Sequence, residues 1–315
     1  MISQLLYLIS LFVPFALGIV LAKRIRRLDG KIVERLTALT FYILIATIGF
    51  RIGGTENLLA NLEKLGIVSL SFAVFTVLGT LLTLTLLYLA LGGRMEKPQA
   101  RDKPNHRKRL HLFKDPLILF FLLSAGVLLG FFLKAVPPPI SEQLTKLLLY
   151  ALLFFIGVSF AQKKIPLREV VSRPDLLLLP IGTALGSLLG GFFASLLLFR
   201  VIPLTWGKAL AVSAGFGWYS LSGIILTDLD GPFLGTVALL SNMLRETIAL
   251  ILIPTVARCP LPNIAIGMGG ATSMDVTLPV IERSLGPESA PVAMISGALL
   301  SAAVPLLVPL FYRLG

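Results

Sequence analysis

Six apolar runs, near residues 2–22, 36–52, 65–91, 116–135, 144–161 and 176–199, occupy the first 200 residues of this chain. Each is long enough to cross the hydrocarbon core of a bilayer as a helix rising about 1.5 Å per residue. With 56% hydrophobic and only 14% charged residues, the 315-residue chain is too apolar for a water-soluble domain. It reads as an all-α polytopic membrane protein with the lipid bilayer as its first partner. The net charge of +12 does not point to nucleic acid. The basic residues lie in short blocks between the apolar runs, as topology signals do, and no nucleic-acid motif or aromatic platform accompanies them. Cys259 is the single cysteine, which excludes an internal disulfide, and the two histidines, His106 and His111, share one basic segment. No metal or cofactor is expected. The first run lacks a basic leader and a small-residue cleavage site, so it is expected to be a retained helix.

Loops after the first, third and fifth runs carry six, eight and four Lys or Arg, and the alternate loops two at most. By the positive-inside rule the N-terminus then lies outside and the basic loops face the cytoplasm. An internal repeat fits this layout. At a shift of 108, "ERLT" (34–37) meets "EQLT" (142–145), Tyr42 meets Tyr150, "IG" (48–49) meets "IG" (156–157) and Gly18 meets Gly126. At a shift of 107, "TVLGTLL" meets "TALGSLL". Units with an odd number of spans face opposite ways, the inverted-repeat signature of secondary transporters. The expected organisation is a three-span repeat at 1–92, a basic cytoplasmic linker at 93–115, an inverted three-span repeat at 116–204 and a transport core at 205–315.

The core repeats at a shift of 55: Gly215 meets Gly270, "GP" (231–232) meets "GP" (286–287), Ser241 meets Ser296, Pro254 meets Pro309 and Arg258 meets Arg313. Each copy holds a broken stretch, 213–223 or 269–279, followed by a clean span. If the broken stretches are tips of re-entrant hairpins, eight full transmembrane helices remain and both termini are outside. If they cross, the chain has ten spans, two of them discontinuous; the hairpin reading is preferred. Unpaired backbone at membrane depth is tolerated only where it lines a cavity or is buried in protein, so paired breaks mark a binding site. Candidate ligand-facing groups are Gly217, Trp218, Tyr219, Ser220 and Ser222 in the first stretch, and Gly270, Thr272, Ser273 and Thr277 in the second. For any one of them, close helix packing is the competing explanation. A cation–π role for Trp218 and Tyr219 competes in the same way with simple packing.

Asp275, in "GGATSMDVTLP", would cost about 2.5–3.5 kcal/mol in hydrocarbon by insertion scales, which asks for a reason. Glu246, in "SNMLRETIAL", is the second acid expected at membrane depth, and Asn242, one turn earlier, faces the same side. Two carboxylates near broken helices favour a cation. The competing reading is an internal ion pair with Arg245 or Arg51. Arg245 adjoins Glu246 and points about 100° away on a helix, a poor geometry for direct pairing. Arg51 lies near the end of its span, where it can snorkel.

At "SAGFGWYSLSGIILT", "RETIALILIP" and "GGATSMDVTLPV" the sequence resembles the prokaryotic lysine-exporter family of LysO type. The resemblance runs over essentially the whole chain, is specific from about residue 205, and leaves 93–115 unmatched. It implies export of L-lysine and toxic cationic lysine analogues across the cytoplasmic (inner) membrane, with intramembrane acids needed for transport, which fall on Glu246 and Asp275. Lysine identity comes from that resemblance alone. The residues themselves indicate a transporter for a cationic or zwitterionic solute; if the solute is lysine, as the resemblance implies, its export against an inside-negative potential calls for exchange with H⁺ or Na⁺. The runner-up is a sodium-coupled importer of an organic anion on a similar scaffold. An intramembrane protease would need a histidine at membrane depth or a paired-aspartate GxGD motif, so no enzyme is expected. A homo-oligomer is left open.

Overall fold

The computed structural model describes residues 13–22, 30–54, 58–90, 114–133, 138–162, 177–199, 202, 204–286 and 289–315. Among them regular structure is helical and no strand occurs. The helices are α1 (Val13–Ala22), α2 (Gly30–Gly53), α3 (Leu58–Ala90), α4 (Lys114–Leu133), α5 (Pro138–Gln162) and α6 (Leu178–Leu198). They continue with α7 (Trp206–Ser213), α8 (Tyr219–Asp230), α9 (Pro232–Val256), α10 (Ile264–Gly269), α11 (Leu278–Leu285) and α12 (Ala290–Leu314). The six apolar runs thus correspond to α1–α6. The third begins earlier than expected, at Leu58, because "LLANLEK" is built from good helix formers that extend the span beyond its apolar part. Residues 91–113, with His106 and His111, and hence nearly all of the expected linker, lie outside the described residues.

Burial is inverted relative to a water-soluble helix. On α6 the buried side is Gly182, Thr183, Gly186, Ser187, Gly190, Gly191, Ala194 and Ser195, whereas Ile181, Leu185, Leu189, Phe193, Leu196 and Leu197 are exposed. Small residues inside allow backbones to approach, and large apolar residues outside suit lipid. Hydroxyls on these helices find partners in their own backbone: Thr80, Ser213, Thr227 and Thr247 each donate to the carbonyl four residues back, at 2.8–2.9 Å. Among the described residues, five helices are long and apolar enough to span a membrane: Gly30–Arg51, Glu63–Ala90, Leu178–Leu198, Pro232–Val256 and Ala290–Leu314.

Two compact units make up the chain. The first comprises residues 1–62, 117–164 and 223–236. Its helices cross at glycines whose pairing follows the 108-residue correspondence. A Cβ on Gly18 would overlap the Phe154 carbonyl oxygen and stand 3.1 Å from the Gly157 Cα. On Gly126 it would overlap the Ala46 carbonyl oxygen and stand 3.1 Å from the Gly49 Cα. Adding 108 to 18, 46 and 49 gives 126, 154 and 157. The α1–α5 crossing and the α4–α2 crossing therefore use equivalent atoms. In the same unit α8 turns into α9 at Gly231 and closes on it, Gly235 lying against Gly223 and Thr227.

The second unit comprises residues 63–116, 165–222 and 237–315. In it α3 and α6 cross where Gly79 meets Gly186 and Gly190, and Gly79 and Gly186 are themselves equivalent at the 107-residue shift. Helix α12, 25 residues and about 37 Å long, is flanked from its two ends. Gly207 at the start of α7 packs on Phe311 and Gly315 at the far end of α12. Both arms of the other broken stretch, α10 and α11, sit in one apolar cluster with Ala293 near the start of α12. Ile264, Ala265, Ile266 and Met268 of α10 share that cluster with Val280, Ile281 and Leu285 of α11, and with Ile253 and Ala257 at the end of α9. The chain therefore enters and leaves the second broken stretch at the same end of the unit.

Candidate functional site

The breaks in the core helices are narrower than the sequence suggested. α7 ends at Ser213 and α8 starts at Tyr219, so Ser220 and Ser222 lie in a helix rather than in the break. In the other stretch α10 ends at Gly269, a 3₁₀ turn covers Gly270–Met274, and α11 starts at Leu278 after Asp275–Thr277. The two tips touch: the Ala271 N–H donates to the Phe216 carbonyl at 2.9 Å. Residues 216 and 271 are equivalent at the 55-residue shift. Phe216 is fully buried and holds φ 49°, a left-handed conformation that strains a residue bearing a side chain. Gly270 opposite has φ 59°, and a Cβ there would overlap the Phe216 carbonyl oxygen and stand 3.3 Å from Arg245 Nη1. Only glycine satisfies both the backbone and the space at that point.

Helix α9 props both tips. Asn242, 3% exposed, accepts at Oδ1 from the Gly217 N–H at 2.8 Å. Its Nδ2 lies within donating distance of the Val212 carbonyl (3.1 Å), the Ala238 carbonyl (2.9 Å) and Ser222 Oγ (3.3 Å). It therefore satisfies backbone that the interruption of α7 leaves open. One turn on, Arg245 is the largest fully buried side chain, and its Nη2 donates to Thr80 Oγ1 on α3 at 3.3 Å. Thr80 is held in turn by donating to the Thr76 carbonyl at 2.8 Å. Glu246 follows, 1% exposed. α9 thus carries an amide, a guanidinium and a carboxylate in five residues, all buried.

The remaining predicted residues fall on and around the tips. Gly217, φ 95°, is buried, and Trp218, Tyr219 and Ser220 are half-buried. Ser222 Oγ donates to the Trp218 carbonyl at 2.9 Å, Thr272 Oγ1 to the Gly269 carbonyl at 2.9 Å, and Ser273 Oγ lies 2.8 Å from the carbonyls of Gly270 and Ala293. Having donated, these hydroxyls retain acceptor lone pairs. Thr277 Oγ1 is buried and has no hydrogen-bond partner among the described residues. Asp275 differs from Glu246: it is exposed, and its Oδ1 accepts from the Val276 N–H at 2.7 Å. Arg51 is in the last turn of α2. Two features escaped the sequence reading. The left-handed Phe216 has no sequence signal, since it is neither Gly nor Asn, and the depth of Arg245 depends on Thr80, 165 residues away. No group of three or more metal-binding side chains occurs among the described residues.

Spanning helices with small residues inside and apolar residues outside define an all-α, multi-pass membrane protein, and its two paired broken helices resemble the substrate sites of membrane transporters. The family model described as "Lysine exporter LysO" matches residues 12–100 and 120–312. The chain belongs to that lysine exporter family. It is 31% identical over 304 residues to the "Lysine exporter LysO" of Escherichia coli strain K12, covering 96% of this chain and 98% of that protein. It is 38% identical over 163 residues to a Haemophilus influenzae protein described as "Putative lysine exporter", covering 52% of this chain and 81% of that one. The unmatched residues 101–119 fall mostly in the basic segment that the sequence reading also left unassigned.

Proposed function

We propose that this protein is a secondary active transporter that exports L-lysine and toxic cationic lysine analogues across the cytoplasmic membrane, by exchange for H⁺ or Na⁺. The observation that carries the reading is the meeting of two broken helices on a helix with a buried acid, in a chain aligned over nearly its whole length with a named lysine exporter. Lysine bears a net positive charge, and expelling it against an inside-negative potential costs about 2.3 kcal/mol per 100 mV. Uncoupled flux would accumulate lysine inside, whereas an incoming cation cancels the charge movement. Glu246 and Asp275 hold the lysine ammonium in one state and the coupling ion in the other. Burial makes an ionised carboxylate costly, which favours a site whose occupancy passes directly from one cation to the other.

Two features support a scaffold of eight full spans and two re-entrant hairpins. Both arms of the 264–285 stretch share one apolar cluster at one end of the unit. The apolar stretches Val13–Ala22 of α1, Phe121–Leu133 of α4 and Gln143–Ser159 of α5 coincide with apolar runs of spanning length. The 55-residue correspondence makes the first stretch a hairpin of opposite sense, and the glycine crossings of α1–α6 follow the shifts expected of inverted repeats. Both termini are then outside, and access alternates by movement of the hairpin-bearing core.

The test is labelled-lysine uptake into proteoliposomes with imposed pH or Na⁺ gradients, run beside a labelled organic dicarboxylate. Lysine exchange driven by either gradient, with no dicarboxylate flux, is the expected result. Sodium-driven dicarboxylate uptake without lysine exchange would replace the reading with that of an anion importer.

A further inference from the structure

The residue that the transport reading leaves unused is Arg245. It is 1% exposed, and of its nitrogens only Nη2 makes a hydrogen bond, to Thr80 Oγ1 at 3.3 Å. Nε and Nη1 have no hydrogen-bond partner among the described residues, so three of the five N–H groups of a buried guanidinium are unsatisfied. A buried charge in that condition is strongly unfavourable, and a purely structural arginine would be expected to have its fork filled. The neighbouring Glu246 leaves from the next position of the same helix, about 100° away, and no carboxylate hydrogen-bonds to Nε or Nη1. Nη1 instead lies 3.3 Å from where a Cβ on Gly270 would stand, at the point where the two broken stretches meet, and the Phe216 carbonyl borders the same position. The end of a guanidinium, Nη1 with the free N–H of Nη2, donates best to a planar carboxylate.

We propose that Arg245 is a substrate-binding residue that takes the α-carboxylate of the transported amino acid end-on, through Nη1 at the Gly270 junction and the second N–H of Nη2. This rests on the lysine reading above and adds what the acids cannot supply: recognition of the anionic end of the molecule. An acid pair alone selects any diamine. Arg245 makes the site specific for a diamine that also carries a carboxylate, and the carboxylate in turn neutralises the buried guanidinium. Thr80 fixes the side chain from α3, and Gly270 leaves the space that a Cβ would take. The carboxylate reaches the fork when the tips at Phe216 and Ala271, joined by one backbone hydrogen bond, move apart.

The experiment is competition against labelled lysine exchange in proteoliposomes, using unlabelled lysine, lysinamide and 1,5-diaminopentane. In the wild type, 1,5-diaminopentane and lysinamide compete about 10- to 100-fold more weakly than lysine, the loss of a charge-assisted pair. In Arg245→Gln that ratio falls to about one because lysine weakens while 1,5-diaminopentane does not, and Arg245→Lys, which keeps charge without the fork, lies between. A structural arginine would weaken all three competitors together or lower protein yield, leaving the ratio unchanged. Equal competition by 1,5-diaminopentane in the wild type overturns the assignment, whether or not the glutamine variant inserts. An unchanged ratio in a folded Arg245→Gln does the same. Wild-type protein that exchanges no lysine overturns the transport reading as well as this one, so the two failures are distinguishable.

Discussion

Asn242 is the side chain whose contribution can be stated most directly. It accepts from the Gly217 N–H, and its amide nitrogen sits among Val212, Ala238 and Ser222, so the first break exists in its observed form because an amide stands beside it. Asn242→Ala should leave that N–H and the Val212 carbonyl buried without partners and lower stability by about 1–3 kcal/mol, read as the unfolding midpoint in detergent. An unchanged midpoint would mean that water or a rearranged tip takes over. Asn242 was legible in the sequence only as a group on the same helical face as Glu246. Its pairing with backbone 25–30 residues earlier follows from how α7 and α9 pack. For the same reason the depth of Arg245 and its hydrogen bond to Thr80 were hidden. Asp275 is exposed and Glu246 buried, a difference that local sequence does not encode.

At the scale of elements, the spans were legible because hydrocarbon imposes a length and an apolar composition on each, and α2 to α6 begin and end near their apolar runs. Boundaries moved where helix formers continue past the apolar part, as at Leu58, and where Ser220 and Ser222 proved to belong to a helix. The 108- and 107-residue correspondences were legible through glycine, because a glycine at a crossing cannot be exchanged for leucine as an apolar position can. Gly231 and Gly286, equivalent at the 55-residue shift, have φ of 101° and 98°. Nothing lies within 4 Å of a Cβ placed on Gly231. Gly231→Ala should therefore cost about 1–2 kcal/mol from backbone conformation alone, measurable by thermal unfolding. The crossing glycines differ. Gly18→Val and Gly126→Val both drive a side chain into a carbonyl oxygen, of Phe154 and of Ala46 respectively, and should lower folded yield to similar extents. Well-folded protein from one variant and none from the other would break the equivalence of the two crossings.

At the scale of the whole molecule, the proposed topology has two inverted three-span repeats, two hairpins of opposite sense and both termini outside. The native sequence supplies its own probe. Cys259 is the single cysteine and is exposed just after α9, at the face where the hairpin arrangement puts Arg258 inside. A membrane-impermeant thiol reagent should label it from the cytoplasmic side only, whereas labelling from outside would favour ten spans. The proposed transport depends on the two acids. Asp275→Asn and Glu246→Gln should each leave the protein folded in the membrane while stopping exchange, since neutral amides have the shape of the carboxyls but hold neither an ammonium nor a proton in turn. The most direct measurement is lysine-driven proton movement, followed with an internal pH indicator in proteoliposomes containing matched amounts of wild-type protein and the two variants. The account predicts a lysine-dependent pH change in the wild type, or a lysine-dependent Na⁺ flux if sodium is the coupling ion, and neither in Asp275→Asn or Glu246→Gln. Wild-type-like coupled exchange in both variants would contradict it and leave the backbone and hydroxyl groups of the two broken stretches as the site.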